Sequence, residues 1–182
     1  MKIAWIIGQE IKHDLNLDLI DSIGPSWGSW KTWKKYKTDN CICTNREEAT
    51  DLIQRAFHSM CNFYMMKDDF LQVGSPQGVK LFDGNFKNNT VTNKDDIVTL
   101  NLVAPDNEII LMSGFNFEPL DKDDPLAMLI REEYYFNINE LMKANTSVQF
   151  VLVDYPHKLA TWANDLENLT IDTAQNVKTL LD

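Results

Sequence analysis

Three short apolar runs constrain this chain more than any other feature. Lys2 to Ile7, Glu108 to Met112 and Val148 to Val153 are nearly continuous in aliphatic and aromatic residues, with almost no polar alternation. A strand with one wet face alternates, whereas a strand apolar on both faces must be covered on both. Asn40 to Cys43 and Val79 to Phe82 read as two further short strands, and stretches of helical spacing separate the set. Such alternation makes βαβ units, whose crossovers lay helices on both faces of a parallel sheet. The expected fold is therefore α/β, a Rossmann-like three-layer sandwich with a mainly parallel sheet of about five strands, residues 1–182 forming one domain.

The helices are read from capping and period. Thr44-Asn45-Arg46-Glu47 fits a capping box, and Ala49, Leu52, Ile53, Ala56, Phe57, Met60, Phe63 and Tyr64 follow it as one apolar stripe. Glu47 and Glu48 complement the dipole of that first turn, which argues against a phosphate docking there. Ile97 to Ala104 fits either period; a helix that starts at Asp95 or Asp96 and ends at Pro105-Asp106-Asn107 is favoured over a hairpin. Asp124-Pro125 opens another helix, with Leu126, Leu129, Ile130, Tyr134, Ile138, Leu141 and Met142 on one face. A last helical region carries Leu159, Trp162, Ala163, Leu166 and Leu169, with a new start at Asp172. Residues 11–23 read as a short helix or an irregular loop.

Composition excludes several functions. At 182 residues, 44% hydrophobic and 24% charged, the chain is globular and long enough for a core of its own. A formal charge of −10 argues against nucleic acid and against an anionic membrane, since both are bound by neutralising phosphates. The three cysteines, Cys41, Cys43 and Cys61, an odd number, read as free thiols in a reducing compartment, with Cys61 on a helix. They are too few and too poorly spaced for a metal site, and no cofactor is indicated. The run Ile3 to Ile7 is too short for a membrane span and lacks a cleavage site, so a cytoplasmic protein is expected and the sequons at Asn88, Asn145 and Asn168 carry little weight.

Against the net charge stands the stretch Ile23 to Asn45, where a Gly-Pro-Ser turn is followed by Trp27, Trp30 and Trp33 and by Lys31, Lys34, Lys35 and Lys37. The tryptophans are either a hydrophobic flap over the sheet or a stacking surface for a base or sugar, with the lysines near its phosphate. In a doubly wound sheet, ligands sit at the carboxyl ends of the strands beside the reversal of strand order. The residues leaving the expected strands are Gly8, Gln9 and Glu10; Thr44 and Asn45; Ser113, Gly114 and Asn116; and Asp154 and His157. Small and amide groups dominate, which suits hydrogen bonding to a sugar or base better than hydrolysis. Each serves equally well as a cap or turn residue.

Gly24-Pro25-Ser26, a following strand ending at Asn45, and a later strand running into Ser113-Gly114-Phe115-Asn116-Phe117 together resemble the bacterial sialyltransferases with a Gly-Pro-Ser nucleotide loop and the related motility-associated accessory proteins. The resemblance implies a cytidine nucleotide held by Gly24, Pro25, Ser26, Asn45, Gly114 and Asn116. The chain departs from that pattern in the linker between Gly8 and Ile23, and in Asn116 where the family has aspartate.

Three functions follow as expectations. The first is a nucleotide or nucleotide-sugar binder, and a glycosyltransferase if His157 or Asp154 serves as base and Lys34 and Lys35 steady the leaving phosphate, with Trp30 and Trp33 for stacking. The second is a non-catalytic accessory protein that holds a protein partner through Trp27, Trp30 and Trp33. The third is a hydrolase using Asp154 and His157 as a dyad, which lacks a nucleophile elbow.

Overall fold

The computed structural model describes residues 1–11, 19, 22–54, 61–83, 94–117, 124–156 and 158–182. Its strands are β1 (Ile3–Ile7), β2 (Ser26–Ser29), β3 (Asn40–Cys43), β4 (Asn62–Met66), β5 (Lys80–Phe82), β6 (Ile109–Ser113), β7 (Gln149–Val153) and β8 (Leu169–Asp172). They form one eight-stranded sheet in the order β5-β4-β3-β2-β1-β6-β7-β8, with every pairing parallel. The helical segments are α1 (Trp30–Trp33), α2 (Arg46–Gln54), α3 (Lys67–Phe70), α4 (Lys94–Val103), α5 (Pro125–Ala144) and α6 (Ala174–Leu181). The architecture is α/β with interleaved helices, consistent with a Rossmann-like sandwich, and it has more strands than the five expected.

The alternation of side chains along each strand shows why both faces are covered. Ala4 and Ile6 of β1, Ile110 and Met112 of β6, and Phe150 and Leu152 of β7 pack with Leu100 of α4 and Tyr134, Ile138 and Met142 of α5. Their neighbours Trp5, Ile7, Leu111, Val151 and Val153 point the other way, toward Ala174 and Val177 of α6. In the first half of the sheet, Cys41, Cys43, Phe63 and Met65 lie under Trp30, Trp33 and the α2 residues Ala49 and Leu52. Ile42 and Phe82 meet Val98 of α4 on the opposite face. Each Val, Leu, Ile, Phe or Met among them contributes about 1.5–3 kcal/mol over leaving it in water.

Three strands were not expected. β2 is Ser-Trp-Gly-Ser, which reads as turn chemistry; it forms because Trp27 packs against Tyr64 at 5.0 Å and because β1 and β3 flank it. β4 overturns the end of the long stripe: Phe63 and Tyr64 satisfy a helical period, but Phe63 and Met65 face α1 while Tyr64 and Met66 face α4. That is period two, and α2 is described only to Gln54. β8 takes Leu169 out of the expected final helix, and Thr161–Asp165 is a 3-10 turn instead. Cys61 lies at the bend before β4 rather than on a helix.

The caps explain the helix starts. At α5, Asp124 Oδ1 accepts from the Leu126 amide at 3.0 Å, with Pro125 in the first position, as expected. At α2 the box is shifted by one residue: Asn45 Oδ1 accepts from the Glu48 amide at 2.9 Å, and Glu48 Oε2 accepts from the Thr44 amide at 3.0 Å. At α6 the cap is Thr173, whose Oγ1 accepts from the Asn176 amide at 3.1 Å, one residue after the expected Asp172. Residues 97–103 are helical and a 3-10 turn, Ala104–Asp106, ends them, so the favoured reading of that segment holds.

Candidate functional site

Strand order reverses around β1: the chain passes outward through β2, β3, β4 and β5, then returns to lay β6 against the other side of β1. The loops leaving β1 and β6 meet there, backbone to backbone. The Gly8 amide donates to Ser113 O at 2.7 Å and the Glu10 amide to Gly114 O at 3.1 Å. Gly114 has φ +75°, a conformation open to glycine, and beneath the loops the Trp5 indole donates to Ser113 Oγ at 2.9 Å.

Beside this junction, above β1, β2 and β3, lies a buried polar cluster. α4 runs antiparallel to the strands, so its first turn brings Asp95 and Asp96 to the carboxyl edge, where both are buried. The Thr44 hydroxyl, just past β3, donates to Asp95 Oδ1 and stands 3.3 Å from Glu48 Oε2. Gln9 Nε2 donates to Asp95 Oδ2 at 2.8 Å, and the Gln9 amide to Asp96 Oδ2 at 3.4 Å. Lys31 Nζ reaches over from α1, 3.2 Å from Asp95 Oδ2 and 4.0 Å from Glu48 Oε1. Glu48 Oε1 is buried and accepts no hydrogen bond from the described residues.

The charges respond to this environment. Burial and the Asp95 charge raise the Glu48 carboxyl above its usual range, against the Thr44 amide and Lys31, which lower it. Burial pushes Asp96 well above its usual range; the Gln9 amide opposes this, while Asp95 and Glu10 add to it. Burial, then Asp96 and Glu10, push the Tyr134 hydroxyl up in turn. For Lys31 partial burial pulls downward, but Asp95, Glu48 and Asp96 outweigh it and hold the ammonium above its ordinary value.

The residues expected to bind a nucleotide do not converge. Gly24, Pro25 and Ser26 lead into the amino end of β2: Pro25 O accepts from the Trp5 amide at 3.0 Å, and a Cβ on Gly24 would stand 3.0 Å from Ile3 O. Ser26 Oγ donates to Asp39 Oδ2 at 2.9 Å, while the Asp39 amide and Ser26 Oγ are 3.0 Å apart; the Asn40 amide group donates to Ser26 O at 3.1 Å. The Gly-Pro-Ser turn thus fastens β2 to β3 at their amino ends, with the whole of β3 between it and Asn45. Asn45, Gly114 and the half-buried Asn116 do lie on the carboxyl edge, Asn45 as the cap of α2.

Trp30 and Trp33 are each only 1% exposed, stacked 5.5 Å apart, with Phe63 6.0 Å from Trp33. Burial removes them as a stacking platform and as a partner surface, and it fits the flap reading. Trp27 lies half-buried on the opposite face, so the three rings share no side. Lys34 lies over Trp30 at 5.6 Å and Lys37 over Trp33 at 3.9 Å, while Lys35 Nζ donates to Gln9 O at 3.4 Å, above the end of β1.

Asp154 follows β7 with φ +51°, and its Oδ1 accepts from the Ala174 amide at 3.3 Å, which ties it to the start of α6. His157 lies outside the described residues. Among those residues no group of three or more His, Cys, Asp or Glu side chains is arranged to hold a metal, and no helix is long and apolar enough to cross a membrane.

Sequence reasoning treated Asp95 and Asp96 only as caps and Lys31 only as one of a lysine cluster. The signal was the strand-helix alternation itself, which sends the start of a crossover helix to the carboxyl edge. Comparison with protein-family models, with curated proteins and with solved structures finds no match for this chain.

Proposed function

We propose that this chain binds a nucleotide or nucleotide sugar at the carboxyl edge of its sheet, over the ends of β1, β2 and β3. The observation that carries the reading is the polar cluster of Gln9, Lys31, Thr44, Glu48 and Asp95 at the carboxyl ends of the strands, the edge on which open α/β sheets bind ligands, beside the reversal of strand order at β1. Lys31, Lys34 and Lys35 supply positive charge on the α1 side of that edge, in a protein whose net charge is −10. Gln9 and the buried carboxylates supply acceptors for hydroxyl groups. Gly24, Pro25 and Ser26 have no part in this site. Asp154 is tied into a cap, so the proposal stops at binding and includes no transfer step.

Thermal unfolding with millimolar CMP, UMP, CDP, UDP and their sugar conjugates tests it, because a ligand that binds only the folded state raises the midpoint. An upward shift with at least one of them is expected. No shift with any overturns the proposal.

A further inference from the structure

We infer that Lys31 is the phosphate-pairing residue of this edge, held in reserve by Asp95 until a ligand phosphate draws it away. The inference rests on the nucleotide reading above. Lys31 sits on α1, which packs through Trp30 and Trp33 on the Cys41 and Cys43 face of β3; Asp95 opens α4, which packs through Val98 on the opposite, Ile42 face. The side chain therefore crosses the rim of the sheet from one layer to the other, over the place where the fold puts a ligand.

The two ends of this ion pair are unequal. The lysine side chain is 54% exposed, whereas Asp95 and Glu48 are 6% and 8% exposed. Because its partners are buried, releasing the lysine leaves their charges without a counter-ion, a cost that an incoming phosphate must outweigh. The carboxylates it leaves stay hydrogen-bonded: Asp95 keeps the Thr44 hydroxyl and Gln9 Nε2, and Glu48 keeps the Thr44 amide. The lysines that follow α1 are differently placed, Lys34 and Lys37 lying over tryptophan faces and Lys35 on a backbone carbonyl. Unlike them, Lys31 is opposed by carboxylates, so its affinity for an incoming phosphate is reduced by the fraction of time it spends on Asp95.

This arrangement gives two substitutions opposite signs. Lys31→Ala removes a charge-assisted contact and is expected to weaken CMP or UDP binding about tenfold. Asp95→Asn keeps an oxygen for Gln9 Nε2, turns the Thr44 contact round so that the new amide donates to the hydroxyl, removes the charge that holds the lysine and is expected to tighten binding a few-fold. Lys37→Ala, which loses the same charge outside the site, leaves affinity unchanged. Titration calorimetry of CMP and UDP into the full chain and these three variants decides it. Binding by the wild type with equal affinity in Lys31→Ala, or weaker binding in Asp95→Asn, overturns the inference and leaves the nucleotide reading standing. No binding to the wild type overturns that reading and the inference with it.

Discussion

A Cβ placed on Gly8 would stand 2.5 Å from the carbonyl oxygen of Gly114. The loops that leave β1 and β6 are in backbone contact, and the junction has no room for even one methyl group. Gly8→Ala must push the loops apart and is expected to cost about 1–3 kcal/mol, read as a lower urea midpoint with unchanged slope. Gly114→Ala also meets a positive φ and is expected to cost at least as much.

Ser26 is expected to act on stability and not on binding. Its hydroxyl and amide both engage Asp39 at the amino end of the sheet. Ser26→Ala should lower stability by about 1 kcal/mol in urea unfolding while nucleotide affinity stays at the wild-type value. A loss of affinity with stability intact would return the Gly-Pro-Ser turn to the binding site.

Trp33 is a core residue by burial, although Lys34 and Lys35 follow it directly in sequence. Trp33→Ala is expected to cost about 3–5 kcal/mol, read as the loss in chemical unfolding, with no change in association state. A stable variant that changed only self-association would restore the exposed-surface reading.

Asp96 is expected to make stability fall as pH rises. Its folded-state pKa lies well above its unfolded value because burial disfavours the anion. Between the two values the native chain holds a proton that the unfolded chain has released, so stability is greatest below the ordinary aspartate range and declines through the window up to the folded value. Asp96→Asn keeps an acceptor for the Gln9 amide and cannot ionise. Its unfolding free energy is expected to decline less with pH over that window, and wild-type and variant curves of equal slope would refute the assignment.

The thiols should separate by burial. Cys41 and Cys43 are buried, and burial together with its two thiol neighbours pushes Cys41 up, whereas Cys61 is half-buried. A thiol reagent under native conditions is expected to modify one equivalent quickly, at Cys61, and the other two only on unfolding.

Parts of this fold were legible because the chemistry that forms them is local. β1, β6 and β7 are apolar on both faces and sit between two helical layers, so their composition states their position. β4 was hidden because Phe63 and Tyr64 continue a helical series begun at Ala49, and only pairing with β3 makes them a strand. β2 was hidden because Ser-Trp-Gly-Ser has turn composition and is a strand only by its neighbours. The site divided the same way. The carboxyl-edge position of Gln9, Thr44 and Gly114 follows from where strands end, but the spacing of Trp30 and Trp33 could not reveal that their shared face is turned inward. Nor could Ser26 show which end of a strand it occupied.

The central strand is also the seam of assembly. Within residues 1–83 each new strand adds beside the one before, so the row from β1 to β5 grows outward from a single starting edge. The opposite edge of β1 gains its partner only when Ile109–Ser113 has been made, more than a hundred positions later, and Lys2 is joined to Glu108 across that gap. On a ribosome, where the chain emerges in order, that flank of Ile3–Ile7 offers bare amides and carbonyls to any passing strand until Ile109–Ser113 has emerged. Arrival of the second half is thus what shields the first.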